Sequence, residues 1–369
     1  MSFPILYKSN ETKFDHNGFG ILSDCISCEV VENTDGVFEL SMQYPIDGIH
    51  FKKIKAGCIL KVITDTVRKP QLFRIYFVSK TMQKTSKILA RHISYDLNWI
   101  PVRPFSVGSL QNFHYSATEI FSSIQENVVL DCPYTFYTDI PDYASGIYTS
   151  NGTTVKSILM GDKNSVKSKF GGNYYFDNFD VKLLKKRGKN SNFSIKYGKN
   201  LTDMKQEENC ADVFTAVYPF WYGEVNEEKT LVELPEKIIY ADGTYDFTKV
   251  KILDFSKSTE SPPSVNNMRS STQNYIKNNN IGIPVVSLTV SFVQLAQWSG
   301  YEHLRQFENI GLYDIVNVDF FEMGVSANAQ VSETVFDCIA ERIKSISLGK
   351  AVTNIADTIA NLQKTQSQV

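Results

Sequence analysis

The stretch FGGNYYFDNFDVKLLKKRGKNSNFSIKYGKNL (residues 170–201) combines two adjacent glycines, two carboxylates three residues apart and a dense basic run. NYYFD and VKLLKK predict two strands joined by a tight Asp-Asn turn, and NFSIKYG predicts a third strand. The same residues are compatible with an active site, a nucleic-acid-binding surface or a plain set of strands. These three interpretations imply an enzyme, a DNA-handling protein and a structural protein, respectively.

Asp177 and Asp180 are the candidate catalytic pair of this stretch. Glycoside hydrolysis uses two carboxyl groups roughly 5–10 Å apart, one of them with a raised pKa. Both residues lie in or beside a predicted turn, where Asp usually caps backbone N–H groups and stays solvated. Gly171 and Gly172 lack the following Lys-Ser/Thr of a phosphate-binding loop, and they fit a strained turn before a strand. We therefore predict no catalytic residue here.

The basic run could contact phosphates, with the interleaved Tyr and Phe stacking on single-stranded bases. Alternation in VKLLKK instead favours lysines on a solvated or subunit-facing strand edge, where they also block unwanted strand pairing. The candidate residues facing an interface or a lumen are Lys185, Lys186 and Arg187.

Cysteine and histidine patterns predict neither a metal nor a cofactor. Cys25 and Cys28 form a lone CxxC motif without a second ligand pair at zinc spacing. The predicted strand CISCEVV would place their side chains on opposite faces, so we interpret both as structural thiols. No HExxH or GxSxG motif is present, and His92 is interpreted as a hydrogen-bonding residue of a core or an interface.

Composition favours a folded chain of several domains. The 369 residues are 42% hydrophobic and 12% aromatic, enough for buried cores in two to four domains. The net charge of −2 gives no global attraction to DNA or to a membrane. SFPILY at the start does not resemble a secretory signal, no run of 18 apolar residues predicts a membrane span, and stable membrane insertion is not expected.

The first ~100 residues predict a small β-barrel or sandwich, because short strands follow one another between turn residues. The strands are CISCEVV and GVFELSMQY around the turn ENTD, then GCILKVIT, QLFRIYFVSK and SKILARHIS. SATEIFSSIQENVVL then predicts a helix with a capping box formed by Ser116 and Glu119. TTVKSILMG predicts a second short helix that ends at Gly161.

The second half of the chain predicts β-structure on both sides of one predicted helix, PPSVNNMRSSTQNYIKNNN. Its predicted strands are VFTAVYPFW, LVELPEKIIY, PVVSLTVSF, GLYDIVNVDFF, QVSETVFD and CIAERIKSISLG. Gly57 and Gly311 open similar strands, and each of those strands is followed by two longer ones. This weak internal repeat predicts two related barrels.

The predicted fold is therefore a β-rich, multidomain α+β chain with two barrel-like domains and two further α/β or β domains. The predicted domains are a first barrel (1–100), an α/β insert (101–200), a second barrel (201–235 with 285–350), a helix-containing insert (236–284) and a C-terminal helix (351–369). In that helix one narrow apolar stripe suits either the first turns of a coiled coil or packing on its own barrel. The stripe consists of Val352, Ile355, Ile359 and Leu362.

Several phrases of the sequence resemble one family. GGNYYFDNFDVKLLKKRG followed by SIKYGKNL resembles the signature of tail-associated proteins of siphophages and prophages, also described as prophage endopeptidase tail or minor structural proteins. ARHISYDL, PVVSLTVSFVQLAQ, YDIVNVDF and ERIKSISLG resemble the same family in the same order. The resemblance therefore covers about residues 5–350.

This resemblance implies a fold like the hub of contractile-phage baseplates, with two barrel-like tube domains per chain and three chains in a ring. It implies a virion structural protein at the tail tip, made in the bacterial cytoplasm, that closes the tail tube and opens for DNA ejection. The implied partners are two further copies of the chain, a distal tail protein or tail-tube ring, the tape-measure protein and DNA in transit.

The resemblance carries over no catalytic, cofactor-binding or metal-binding residue. Many members of the family carry a peptidoglycan hydrolase in a C-terminal extension, and this sequence ends at Val369, so we expect no enzyme here. Two alternatives remain open: a cell-wall hydrolase within these 369 residues, and a carbohydrate-binding receptor module, which the aromatic content favours.

Overall fold

The computed structural model describes residues 2–65, 67–111, 113–161, 164–196, 198–209, 213–225, 228–242, 247–257, 261–279, 281–282, 285–292, 310–320 and 325–349. The described residues fall into two compact units. Unit 1 comprises Met1–Met204, Thr289–Phe321 and Asn328–Gly349, and unit 2 comprises Lys205–Leu288 with Glu322–Ala327. No helix in the described part of the chain is long and apolar enough to cross a membrane.

The N-terminal strands include the five that the sequence predicts and two short ones that it does not. They are β1 (Ile5–Tyr7), β2 (Gly20–Ile21), β3 (Ser27–Asn33), β4 (Phe38–Pro45), β5 (Ile59–Val62), β6 (Gln71–Lys80) and β7 (Thr85–His92). β3 and β4 pair antiparallel around the predicted ENTD turn. Phe38, Leu40, Met42 and Tyr44 are all buried, because the period of two places alternate side chains of β4 on one face. Two 3-10 helices, Phe51–Lys53 and Ile93–Trp99, connect and follow these strands.

A region of mixed α and β elements follows, and its status as a separate insert domain stays a prediction. Its elements are β8 (Pro101–Val102), β9 (Phe105–Val107), β10 (His114–Ser116), α1 (Ala117–Asn127), β11 (Thr135–Thr138), β12 (Tyr143–Ser145), β13 (Tyr148–Ser150), β14 (Thr153–Thr154), α2 (Val155–Met160), α3 (Val166–Phe170), β15 (Asn173–Asp177) and β16 (Asp180–Leu184). The predicted capping box begins α1: the Ser116 hydroxyl accepts from the Glu119 N–H at 3.2 Å, and the Glu119 carboxylate accepts from the Ser116 N–H at 2.7 Å. α2 ends at Gly161, also as predicted.

The apolar core of this region lies between its helices and the three-stranded sheet β11-β16-β15. Ile120 and Ile124 of α1 pack there with Val181 and Leu183 of β16. β15 and β16 form an antiparallel hairpin in which Asp177 lies opposite Asp180. The hairpin predicted from the opening stretch is therefore present.

The remaining elements continue the β pattern on either side of unit 2. β17 (Asn190–Lys196) and β18 (Leu201–Asn209) come first. Next are β19 (Ala216–Val225), β20 (Glu228–Glu233), β21 (Ile239–Tyr240), β22 (Val250–Asp254), a 3-10 helix (Phe255–Lys257) and α4 (Val265–Asn278). β23 (Val285–Phe292), β24 (Ile315–Phe320), β25 (Val325–Asp337) and β26 (Arg342–Gly349) complete the described elements.

Thirteen of the described strands are linked in one sheet, and its order contains a repeat. The N-terminal strands run β3-β4-β7-β6-β5-β1, and the later strands run β18-β23-β26-β25-β24-β17. Each strand of the first set corresponds, in chain order, to one strand of the second set. The sets differ at one end, because β1 pairs antiparallel with β5 whereas β17 pairs parallel with β24. The repeat predicted from Gly57 and Gly311 is therefore present in the strand order, and closure of each set into a barrel stays a prediction.

Unit 2 is a small sheet covered by one helix. β19 pairs with β20, β21 and β22, and α4 packs on one face through Met268 and Ile276 against Trp221 and Val217. The opposite face carries five apolar side chains that are between 38% and 68% exposed. They are Tyr222, Leu231, Tyr240, Val250 and Ile252. Tyr222 belongs to β19, and the other four lie opposite β19 residues an even number of positions from it or opposite Tyr222 itself. All five therefore lie on one face of the sheet, because side chains alternate along each strand.

Candidate functional site

The Asp-Asn turn of the opening stretch docks onto β6 within unit 1. Asn178 adopts a φ of 54°, its side-chain oxygen accepts from the Leu72 N–H at 2.9 Å, and its amide group donates to the Pro70 carbonyl at 3.1 Å. The Asn178 N–H donates to Oε1 of Gln71 at 2.9 Å. Nε2 of Gln71 in turn donates to the Asp177 carboxylate at 2.7 Å. Asp177 therefore holds the hairpin against the N-terminal strands.

His92 extends this network into the core. The ring is fully buried, with Nε2 3.1 Å from the side-chain oxygen Oε1 of Gln71 and Nδ1 2.9 Å from the Ser94 hydroxyl. Since the Ser94 N–H donates to Nδ1, the proton of the neutral ring lies on Nε2 and points to Gln71. Burial, and then the charges of Arg68 and Lys156, hold the pKa of His92 well below its usual value. The interpretation of His92 as a hydrogen-bonding core residue is confirmed.

A buried ion cluster lies in the same unit and consists of Glu32, Asp65, Arg68 and Arg187. The Glu32 carboxylate accepts from Nη2 of Arg68 at 2.5 Å and from Nη2 of Arg187 at 3.3 Å. Arg68 also donates from Nε and from its backbone N–H to Asp65. The side chains of Glu32, Arg68 and Arg187 are only 9–11% exposed. Such buried charges are stable only when they are paired and hydrogen-bonded, as they are here.

Two tyrosine rings contact the Arg187 guanidinium. Its centre lies 5.0 Å from the ring centroid of Tyr175 and 4.9 Å from that of Tyr313, within the range of cation–π attraction. Nη1 of Arg187 donates to the Tyr174 carbonyl at 2.5 Å. One side chain therefore connects β3, β15 and the loop before β24.

A cavity of about 340 Å³ borders the ion cluster inside unit 1. Arg68 and Arg187 line it together with two lysines, Lys186 and Lys189. Apolar side chains form much of the remaining wall.

The structure separates the three basic residues singled out from the sequence. Lys185 is exposed, and its Nζ lies 3.4 Å from the Asp142 carboxylate. Lys186 is exposed and lines the cavity, whereas Arg187 belongs to the ion cluster. Only Lys185 and Lys186 are therefore placed to face a partner or a lumen, and that role stays a prediction.

Asp180 and the paired glycines have local structural roles. The Asp180 carboxylate accepts from the Thr135 hydroxyl at 2.5 Å, which joins β16 to β11. Gly172 has a φ of 77°, and a Cβ there would clash with the Leu184 carbonyl, so only glycine suits this turn. The predicted turn-forming role of the glycines is confirmed.

The expectation that Cys25 and Cys28 lie on opposite faces of one strand is wrong. β3 begins at Ser27, so Cys25 lies in the irregular segment before it and the strand alternation does not apply to it. The Cys28 thiol contacts those of Cys25 and Cys338, and these hydrogen bonds together with burial raise its pKa well above the usual value. All three are buried free thiols, and no group of three or more His, Cys, Asp or Glu in the described ranges could hold a metal ion.

The sequence reasoning missed Glu32, Arg68 and Tyr313. A signal for Glu32 exists, because it shares the buried face of β3 with Cys28 and Val30 and is a charge at a core-facing position. Arg68 lies in a loop, where no periodicity marks a buried residue. The predicted trimer stripe (Val352, Ile355, Ile359 and Leu362) lies outside the described residues.

The fold is β-rich, and the buried charged side chains of unit 1 form ion pairs and hydrogen bonds with one another. Residues 189–359 match the family model described as prophage endopeptidase tail. This range begins within the opening stretch and covers the second set of strands. No curated protein sequence matches the chain at a significant level.

Three solved structures of tail proteins, two of them described as prophage proteins, share the fold over nearly the whole chain. A prophage tail protein from Listeria monocytogenes is 13% identical, with a TM-score of 0.54 and coverage of 99% of this chain and 100% of that one. A 43 kDa prophage tail protein from Shewanella oneidensis is 12% identical, with a TM-score of 0.53 and coverage of 97% and 99%. A tail protein from Neisseria meningitidis is 10% identical, with a TM-score of 0.53 and coverage of 94% and 96%. The resemblance to prophage tail proteins predicted from the sequence is confirmed.

Proposed function

We propose that this protein is a structural component of a phage tail tip, where three copies form a hub that closes the distal end of the tail tube. The observation that carries the proposal is the shared fold with the Listeria prophage tail protein over 99% of this chain, together with the family match at residues 189–359. In this proposal the hub opens by domain rearrangement when the phage adheres to its host, and DNA then passes through it. The proposed neighbours are a distal tail protein or tube ring and the tape-measure protein.

The repeated strand order supports a ring of three chains. A chain with two similar sets of strands, β3-β4-β7-β6-β5-β1 and β18-β23-β26-β25-β24-β17, presents two similar modules. Three such chains present six modules, which suits contact with a sixfold tube. A cyclic ring of this kind uses one heterologous interface three times.

The exposed apolar face of unit 2 supports a protein that works in an assembly. Ile252 is 68% exposed and Tyr240 is 62% exposed, and both lie on the sheet face opposite α4. Contiguous apolar patches of roughly 300–600 Å² on a folded chain are often functional, since water contact with them is unfavourable.

Mass measurement of the purified chain tests the proposed assembly. We expect three copies by light scattering or native mass spectrometry, and a closed ring with threefold symmetry in electron micrographs. A clean monomer at high protein concentration, with no ring, would contradict the proposal.

We further propose that the protein is not an enzyme, although the matched family carries the word endopeptidase in its description. The Asp177 carboxylate accepts a hydrogen bond from Gln71, and the Asp180 carboxylate accepts one from Thr135. These bonds support structural roles for both carboxylates. We expect the wild-type chain to release no more peptide or sugar from purified cell wall than a buffer blank. Activity in the wild type that Asp180→Asn abolishes would favour the hydrolase alternative, and retention on host wall polysaccharide would favour the carbohydrate-binding one.

A further inference from the structure

The cavity beside the ion cluster has a small excess of positive charge. Four cationic and three anionic side chains line it: Arg68, Lys186, Arg187 and Lys189 against Glu32, Asp65 and Asp314. The Asp314 carboxylate is already occupied, because it accepts from the backbone N–H groups of Lys189 and Gly311, each at 2.8 Å. The cavity therefore suits one additional negative charge better than two.

Two buried polar atoms of the cavity-lining residues lack a hydrogen-bond partner among the described residues. They are Nη1 of Arg68 and the Thr64 hydroxyl oxygen. Thr64 is only 6% exposed, and the Arg68 side chain only 11%. A buried donor without an acceptor is unfavourable, and in folded proteins such a group usually has a ligand, an ion or a water as its partner.

Apolar side chains form much of the rest of the wall. Leu184, Ile310, Leu312, Phe336 and Ile343 all line the cavity. A strongly hydrated inorganic anion would lose water against these side chains without compensation, whereas an aliphatic group would gain from contact with them.

We propose that this cavity binds a monocarboxylate joined to an apolar group. Nε of Arg68 donates to Asp65 and Nη2 donates to Glu32, whereas Nη1 has no partner among the described residues and is available to a ligand oxygen. The exposed Lys186 supplies further positive charge at the same wall. Inorganic phosphate fits less well, because it carries up to two charges and has no apolar part.

The size of the cavity agrees with a small ligand of this class. Its volume of about 340 Å³ lies near the lower end of the roughly 300–1,000 Å³ typical of ligand sites. Both an aliphatic carboxylic acid and the C-terminal residue of a peptide have the required chemistry. All the lining residues named here belong to unit 1, so the proposal does not depend on how many copies assemble.

Saturation-transfer NMR on the full chain tests this proposal with four probes. Hexanoate represents a free aliphatic acid, and N-acetyl-leucine represents a peptide C-terminus. Hexanamide, which lacks the charge, and inorganic phosphate, which lacks the apolar group, are the matched controls. We expect saturable binding of at least one carboxylate, about tenfold or more tighter than that of hexanamide or phosphate. The tighter of the two carboxylates identifies the source.

Two neighbouring lysines provide matched variants. Lys186→Glu reverses a charge at the cavity and should weaken carboxylate binding about tenfold, while Lys185→Glu reverses a charge paired with Asp142 outside the cavity and should change it less than about twofold. Thr64→Val removes the unpartnered hydroxyl with little change in side-chain volume and should also weaken binding. Thermal unfolding of each variant checks that it is folded.

Three results would overturn the proposal. These are the absence of saturable carboxylate binding, equal binding of hexanoate and hexanamide, and equal losses in the Lys186 and Lys185 variants. Each of them leaves the proposed tail function intact, because that function is tested by mass and by ring formation.

Discussion

At the scale of single residues, the Glu32 carboxylate pairs with two arginines from distant parts of the chain. It pairs with Arg68, 36 residues away, and with Arg187, 155 residues away, and all three side chains are nearly buried. Breaking a buried ion pair by removing one partner leaves an uncompensated charge in a medium that solvates it poorly. Glu32 is therefore the residue on which the position of two arginines depends.

Glu32→Gln keeps the shape of the side chain and removes its charge. We expect a loss of about 3–5 kcal/mol in the free energy of unfolding, measured by urea denaturation of the full chain. Lys185→Gln is the control, since an exposed ion pair contributes little and the change should stay within about 0.5 kcal/mol. Equal stability of the two variants would show that the buried pairs contribute no net stability.

His92 makes stability depend on pH. Its folded-state pKa lies well below the value of about 6.5 expected in the unfolded chain. As the pH falls below about 6.5, the unfolded chain takes up a proton on this histidine that the folded chain does not. The free energy of unfolding therefore decreases by up to about 1.4 kcal/mol per pH unit below that pH. We expect the midpoint of urea unfolding to move to lower urea concentration as the pH is lowered from about 7.5 to about 5.5.

His92→Gln should reduce this slope, because the substituted side chain does not titrate. The exposed His114 provides the control, and His114→Gln should keep the wild-type slope. An unchanged slope in His92→Gln would assign the pH dependence to other groups.

At the scale of elements, the β15–β16 hairpin is the piece that joins the α/β region to the N-terminal strands. Its turn contacts β6 through Asn178 and Asp177, and Phe179 packs against Phe14 and Tyr134, with ring centroids 6.2 and 5.4 Å apart. The opening stretch is therefore a docking hairpin, which explains why its carboxylates and glycines fit no catalytic pattern.

Substitutions at Asn178 separate the two tasks of this turn. Asn178→Gly keeps the left-handed backbone but loses the side-chain hydrogen bonds to Leu72 and Pro70, so we expect a loss of about 1–3 kcal/mol. Asn178→Ala loses the same bonds and adds about 1 kcal/mol of backbone strain. Urea denaturation measures both. If the alanine variant were as stable as the glycine variant, the positive φ would contribute nothing to the choice of residue.

At the scale of the whole molecule, the chain contains two sets of strands with the same order, and the proposed function rests on their arrangement in a ring. Lys185 and Lys186 are the exposed members of the basic run that the sequence placed at an interface or a lumen. Arg187 is held by Glu32 and two tyrosines, so its substitution would test stability instead of partner contact.

Reversal of both charges, Lys185→Glu with Lys186→Glu, tests the lumen-facing alternative in an infectious phage. If this edge lines the tube, genome delivery should fall several-fold while the purified variant still forms the trimer, because only the passage of a polyanion is opposed. Lys229→Gln, on the exposed sheet of unit 2, is the control substitution. Loss of the trimer would instead assign the two lysines to a subunit interface, and normal delivery with an intact trimer would contradict both roles.

Local patterns in the sequence predicted many of the longer elements of this protein but few of its short strands. The alternation in β4, the capping box of Ser116 and Glu119, the glycine turn before β15 and the similar strands after Gly57 and Gly311 each depend on residues a few positions apart. Steric preference, side-chain period and capping act over that range, so the pattern predicts the element without knowledge of the fold.

The tertiary structure alone decided what the polar residues do. Arg187 was predicted with its neighbours as an exposed basic group, yet Glu32 lies 155 residues away and removes it from the surface. Asp177, a catalytic candidate in the sequence, instead accepts a hydrogen bond from Gln71, 106 residues away. Cys28 contacts both Cys25 and Cys338, and Cys25 lies before β3, which starts later than the sequence predicts. The role of a charge or a thiol depends on its burial and its partners, and in this chain those partners come from distant strands whose meeting no local pattern records.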